Sequence, residues 1–258
     1  MNYLINETIG GVLKITINRI EVFNSFNTLL AKELQETLDF AKGKTSIRAV
    51  LITGKGKAFS TGQDIAELID PNGPELSSIL SENFNPIVKK IRELNKPVIA
   101  SVNGVAAGAG ANIALACDIV IASDTAQFIQ IFSKIGLIPD AGGTHILPRL
   151  IGWQRATAIM MLGEPISAHE AEKMGMIFKS VKDSDLEEES LKLATKLSKM
   201  PTIALSNIKI ALNKSFTNSF DQQLLVEEEL QVTSAKTIDF KEGITAFVEK
   251  RNAKFVGK

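Results

Sequence analysis

The 258-residue sequence predicts an α/β fold in which strand, loop and helix recur before giving way to an all-helical tail. Three observations carry this expectation. The runs AVLITG at 49–54, PVIASV at 97–102 and DIVIAS at 118–123 have the length and β-branching of buried strands. Glycine-rich segments, GKGKAFSTGQD and NGVAAGAGAN, follow the first two and lead towards helix-like stretches. Beyond about residue 185 the strand signals fade, and helical stretches remain near 185–199, 202–214, 219–236 and 240–251.

In chain order, Val12, Ile15 and Ile17 alternate with Lys14 and Thr16 as a strand that ends in the turn-prone NRIEVFNSFN. Leu29, Leu30, Leu34 and Leu38 recur at helical spacing in TLLAKELQETLDFAKG, with Gly43 as the stop. The segment AELIDPNGPELSSIL is polar and irregular, as expected of a surface loop or mobile lid. Pro97 to Cys117 carries no charge, which raises the question of a membrane span, but two asparagines, a serine and an opening proline fit a strand, a glycine loop and a buried helix better. The helix-like SAHEAEKMG then precedes the strand-like MIFKSV, and KMPTIA breaks the tail. Two regions are expected, an α/β core over 1–195 and a helical region over 196–258.

Charge is balanced, 29 basic against 29 acidic side chains, which argues against nucleic acid or an acidic membrane surface as partner. The single cysteine, Cys117, has no intramolecular disulfide partner, and the first residues show no basic start followed by an apolar run. A reduced, cytoplasmic location is the expectation.

Nucleotide motifs fail on spacing. GKGKAFSTG lacks the phosphate-loop pattern, and in GVAAGAGANI the third glycine of a dinucleotide loop would fall at Ile113. His145 and His169 stand without a metal-ligand pattern, so no metal is assigned. What remains is a pair of glycine loops, FSTGQD and AAGAGAN, each following a strand. They are either tight strand-to-helix turns or, if they face each other, an oxyanion hole of free amides. In GLIPDAGGT a lone carboxylate, Asp140, has no Lys or Arg between Ile135 and Pro148. Such a group is either a cap for the GGT turn or a carboxyl whose proton affinity is raised for chemistry.

GKGKAFSTGQDI, KPVIASVNGVAAGAGANIALACDIVIAS and IGLIPDAGGTHILPRLIG together resemble, in order and spacing, the three signature regions of the crotonase (enoyl-CoA hydratase/isomerase) superfamily. The ending EGITAFVEKRNAKF resembles that family's last helix, so the likeness spans the chain. The resemblance implies a crotonase-type spiral of ββα units with a C-terminal helical oligomerisation region, an acyl-CoA thioester as substrate, no cofactor beyond the coenzyme A that the substrate carries, and a homotrimer or homohexamer. It implies that the Gln63 and Ala109 amides bind the thioester oxygen, Ala109 standing where the family has glycine. It also implies that coenzyme A lies along Ser60, Gly62, Asp64 and Ile65, with Phe247 and Lys250 at the nucleotide end.

Hydratases of this family use two glutamates, and their positions here hold Asn112 and Phe132. Many hydratases have glycine where this chain has Asp140. The segments NSFN, TGQD, NGVAAGAGA, FSKIGLIPDAGGT and FVGK are similar to an isomerase branch that acts on ring epoxides of phenylacetyl-CoA. The expected function is therefore isomerisation with Asp140 as base, its affinity for a proton raised by apolar neighbours such as Ile138 and Phe132. Hydration, or acyl-CoA binding without turnover, are the alternatives.

Overall fold

The computed structural model describes residues 3–258. Its first two strands, β1 (Leu4–Ile9) and β2 (Val12–Ile17), form an antiparallel hairpin. Only β2 was legible from alternation, because β1 lies at the sheet edge with most of its side chains exposed. Helix α1 (Thr28–Gly43) begins where the Asn27 side chain accepts the Leu30 amide at 2.9 Å, and it buries Leu30, Leu34 and Leu38. Leu29, part of the expected apolar set, is off that stripe and 63 % exposed.

Three ββα turns follow. The first comprises β3 (Ala49–Gly54), β4 (Ala58–Ser60) and α2 (Ile65–Ile69), and continues through α3 (Leu76–Ser78), a π-helical stretch (Ile79–Phe84) and α4 (Asn85–Glu93). The second is β5 (Val98–Val102), β6 (Val105–Ala107) and α5 (Ala109–Ala116). The third is β7 (Ile119–Ser123) and β8 (Gln127–Ile129), a short 3-10 turn (Ile131–Ile135), then α6 (Gly143–Ile151) and α7 (Trp153–Leu162). The core closes with β9 (Pro165–Ser167), α8 (Ala168–Lys173) and β10 (Lys179–Val181).

Each turn delivers its longer, mainly apolar strand to one sheet and its three-residue strand to another. The result is a sheet ordered β1-β2-β3-β5-β7-β10, parallel after the first hairpin, and a smaller one ordered β4-β6-β8-β9. Phe26, Phe59, Phe84 and Phe128 are fully buried in the core cluster that both sheets share with α1, α4 and α5. This is the crotonase-type spiral that the resemblance implied. The uncharged run from Pro97 is accounted for by β5, β6 and α5, and no helix among the described residues is long and apolar enough to cross a membrane.

One expectation is corrected. The segment 66–80 is not an irregular loop: its first part belongs to α2, and from Leu76 onward the chain is helical through Glu93. Burial of Ile79 and Phe84 holds this stretch to the core despite its polar composition.

The tail consists of α9 (Leu186–Ser198), α10 (Thr202–Ser215), α11 (Phe220–Ala235) and α12 (Ile238–Val248). Helix α9 covers the six-stranded sheet, packing Ala194, Leu191 and Leu197 on Val12, Leu51 and Ile99. Helix α10 is fastened by Lys209, 7 % exposed, whose ammonium donates to Asp118 Oδ2 at 2.8 Å and to the Ile91 carbonyl at 2.7 Å. Asp118 Oδ2 also accepts the Val98 amide at 2.8 Å, so one carboxylate joins β5, the end of α5 and the tail.

Removing one partner of such a buried pair strands the other charge. Asp118→Ala is expected to lower stability by about 3–5 kcal/mol, read as a shift in urea midpoint, whereas the neutral pair Asp118→Asn with Lys209→Met loses much less.

Candidate active site

The first glycine loop leaves β4 at Ser60. The Phe26 amide donates to Gly62 O at 2.7 Å and the Asp64 amide donates to Phe26 O at 2.9 Å. These two bonds bracket Gln63, whose own N–H has no partner among the described hydrogen bonds. Ser60 is fully buried, and its hydroxyl accepts the Gly62 amide at 3.1 Å.

The second loop leaves β6 and enters α5 at Ala109, so the Ala109 amide is the first of the helix and has no intrahelical acceptor. The two loops are in backbone contact. A Cβ placed on Gly110 would stand 2.4 Å from the Ser60 carbonyl oxygen, and one on Gly62 would stand 3.1 Å from the Ala109 nitrogen. The two loops therefore lie against each other, and the Gln63 and Ala109 amides, one on each, have no partner among the described hydrogen bonds. Amides at a helix start favour an oxygen carrying negative charge.

The supporting residues are ones that sequence reasoning did not single out. Arg19 pairs with Asp64 at 3.0 Å and donates to Ser25 O at 2.7 Å, while Asn24 donates to the Ala58 and Lys55 carbonyls. Asp64 also caps α2 by accepting the Ala66 amide, so its carboxylate is engaged within the chain. Glu67 accepts the Thr28 amide at 2.9 Å and the Gln63 side-chain amide at 3.0 Å, bracing the loop from the far side. The segment NSFN was the available signal, since short polar residues in an otherwise apolar turn commonly satisfy backbone groups.

Asp140 lies between the 3-10 turn and α6. Its Oδ1 is buried with no hydrogen-bond partner, and burial pushes the carboxyl up to about 6, opposed only by its own backbone amide. Its main-chain carbonyl accepts the Gly143 amide at 2.8 Å and Asn112 Nδ2 at 2.9 Å. Asn112 and Phe132, the positions at which the resemblance implied the hydratase glutamates, lie by the second loop and its helix. Asn112, on α5, touches the Asp140 turn, and the Phe132 ring would lie 3.7 Å from a Cβ on Gly108, beside the second loop. Of the apolar neighbours expected for Asp140, Phe132 is buried, but Ile138 is 79 % exposed, so its side chain does not supply the expected apolar cover.

The remaining expected residues are placed differently. Ile65 is exposed at the start of α2, next to the first loop. Phe247, 84 % exposed, and Lys250 lie at the end of α12, and their hydrogen bonds stay within that helix end. A cavity of about 540 Å³ lined by Lys14, Lys55, Ser101, Asn103 and Ser190 includes none of Gln63, Ala109 and Asp140. Its polar groups largely satisfy one another, as in the Ser190–Ser101 hydroxyl pair and the Lys14–Glu187 ion pair.

Known proteins share this fold and sequence. The sequence profile of the enoyl-CoA hydratase/isomerase family matches residues 7–258. The chain is 42 % identical to the 1,2-epoxyphenylacetyl-CoA isomerase of Escherichia coli, covering 100 % of both chains, and 42 % identical to a probable enoyl-CoA hydratase of Rhodobacter capsulatus, covering 96 % of this chain and 95 % of that one. The crystal structure of an enoyl-CoA hydratase from Bacillus anthracis superposes with a TM-score of 0.93 at 32 % identity, over the full length of both chains. With its fold, both glycine loops and its full length accounted for, the chain belongs to the enoyl-CoA hydratase/isomerase family.

Proposed function

We propose that the protein is an acyl-CoA isomerase in which Asp140 is the proton-shuttling base and the amides of Gln63 and Ala109 bind the thioester oxygen. The observation that carries this reading is the half-buried Asp140 carboxyl, whose Oδ1 is buried without a hydrogen-bond partner, together with Asn112 and Phe132 at the positions where the resemblance implies the hydratase glutamates. Asp140 in its ionised form removes the proton from the carbon next to the thioester. Charge moves to the thioester oxygen, where the two amides stabilise the enolate, and the same carboxyl returns the proton two carbons further on. The chain's likeness to the E. coli isomerase supports a ring epoxide of a phenylacetyl thioester as the substrate; its likeness to hydratases supports hydration as the second reading.

In this reading residues 1–195 are the acyl-CoA-binding core, with coenzyme A along Ser60, Gly62, Asp64 and Ile65. Asp64 contributes through its backbone, because its side chain is committed to Arg19 and Ala66. Residues 196–258 serve subunit contact in a homotrimer or homohexamer, where Phe247 and Lys250 meet the nucleotide end. The exposure of Phe220, Leu225, Phe247 and Val248 supports this, since apolar side chains of that size on neighbouring helices favour burial against a second copy.

The test offers a 3-enoyl-CoA and crotonyl-CoA separately to the wild-type protein and to Asp140→Asn. Conversion of the 3-enoyl thioester to its conjugated isomer is expected, with a loss of about 10²-fold or more in the variant and unchanged CoA binding. Hydration of crotonyl-CoA that survives the substitution would establish the hydratase reading instead.

The carboxyl also sets two pH dependences. Isomerisation requires the ionised base, so kcat/KM is expected to rise with pH through about 6 and level off above it. For stability the sign is opposite. The folded-state value lies above the ordinary 3.8, so Asp140 favours the fold when protonated, and that contribution fades as pH rises from about 4 to about 6. Asp140→Asn is accordingly expected to be the more stable protein at pH 7 by on the order of 2 kcal/mol, and to lose that advantage below pH ~4, as measured by urea unfolding at the two pH values.

A further inference from the structure

We propose that Asn112 is the positioning residue for the Asp140 base and that Gln130 fixes the orientation of its carboxamide; this rests on the reading of Asp140 given above. Helix α5 is apolar and buried throughout, and Asn112 is its one polar side chain, with no exposed surface. A primary amide in that setting is costly unless both its ends are bonded. Asn112 Nδ2 donates to the Asp140 carbonyl at 2.9 Å, and its Oδ1 accepts Gln130 Nε2 at 2.7 Å. A main-chain carbonyl can only accept, so the first bond determines which end of Asn112 is nitrogen, and the second then determines which end of Gln130 faces it. This leaves Gln130 Oε1 buried without a partner on a residue 1 % exposed. Two buried amides are thus directed at the Asp140 turn although one acceptor is orphaned in the process.

The turn needs such a hold. Ala141 has φ 47° and Gly142 φ 78°, so two consecutive residues after the base lie in the left-handed region, the first with a side chain. The turn also wraps directly on Asn112: a Cβ on Gly143 would stand 2.4 Å from its Nδ2. The Asp140 carbonyl is therefore held from two sides, by the Gly143 amide and by Asn112, and this hold decides where the carboxyl beyond it points. A carboxylate at position 112 could accept from Gln130 but, when ionised, could not donate to the carbonyl.

The experiment compares Asn112→Asp, close in shape, and Gln130→Met, which releases the carboxamide without touching the turn, with Asp140→Asn, using a 3-enoyl-CoA as substrate. Unfolding midpoints are recorded for each. The expected result is a kcat lower by about 10²-fold in Asn112→Asp and by a smaller factor in Gln130→Met, with KM within about threefold of wild type in both, because displacement of a base costs rate rather than substrate affinity. If Asn112→Asp does not fold, the kcat of Gln130→Met decides alone. A kcat within about twofold of wild type in either folded variant, while Asp140→Asn is inactive, overturns the positioning role and leaves the base assignment standing. Turnover that persists in Asp140→Asn overturns both.

Discussion

The backbone contact between Ser60 and Gly110 governs the architecture of the site. The end of β4 and the start of α5 come so close that no side chain fits between them, and this brings the loops that carry Gln63 and Ala109 together. The ββα spiral supplies this proximity by sending β4 and β6 side by side into the four-stranded sheet. The long strands of the other sheet carry the hydrophobic core, while the three-residue strands serve as spacers whose ends are aimed. The bonds around the first loop, from Phe26, Arg19 and Asn24, keep it from closing on itself and satisfying its own free amide.

Asp140 shows the opposing demand. A carboxyl useful as a base near neutrality must be kept from partners that would hold it ionised, and here burial achieves that without a neighbouring charge. The chain accepts a less stable fold at neutral pH in return. Positive φ at Ala141 adjoins the orphaned Oδ1 of Asp140, and the orphaned Oε1 of Gln130 is joined to that turn through Asn112, so strain and unsatisfied polarity gather where the chemistry is proposed.

The long strands, α1 and the tail helices were legible because their apolar spacing is regular. β1 was not, because an edge strand with exposed side chains lacks alternation of burial, and the short strands of the second sheet are too brief to carry a period. The helical stretch from Leu76 was concealed by polar residues around only a few buried anchors, Ile79 and Phe84. At the site, glycine spacing by itself favoured simple tight turns, because the approach of the two loops is a contact between residues far apart in sequence, Ser60 and Gly110. The pairings of Arg19 with Asp64, Glu67 with Thr28 and Gln130 with Asn112 depend on contacts between residues far apart in sequence, for which a single chain read in order holds no signal.

Helix α5 ties these levels together. Its first residue presents the Ala109 amide, its next turn carries Asn112 against the Asp140 loop, and just past its end Asp118 receives Lys209 from α10. Eight buried residues thus form a stiff strut between the reactive place and the tail. Shortening the chain before α10 would strip the Lys209 ammonium from Asp118 and leave the carboxylate at the foot of that strut with only the more distant Arg92 guanidinium, 3.9 Å away. The tail is therefore part of the support on which the loops stand, even though none of its helices belongs to either sheet.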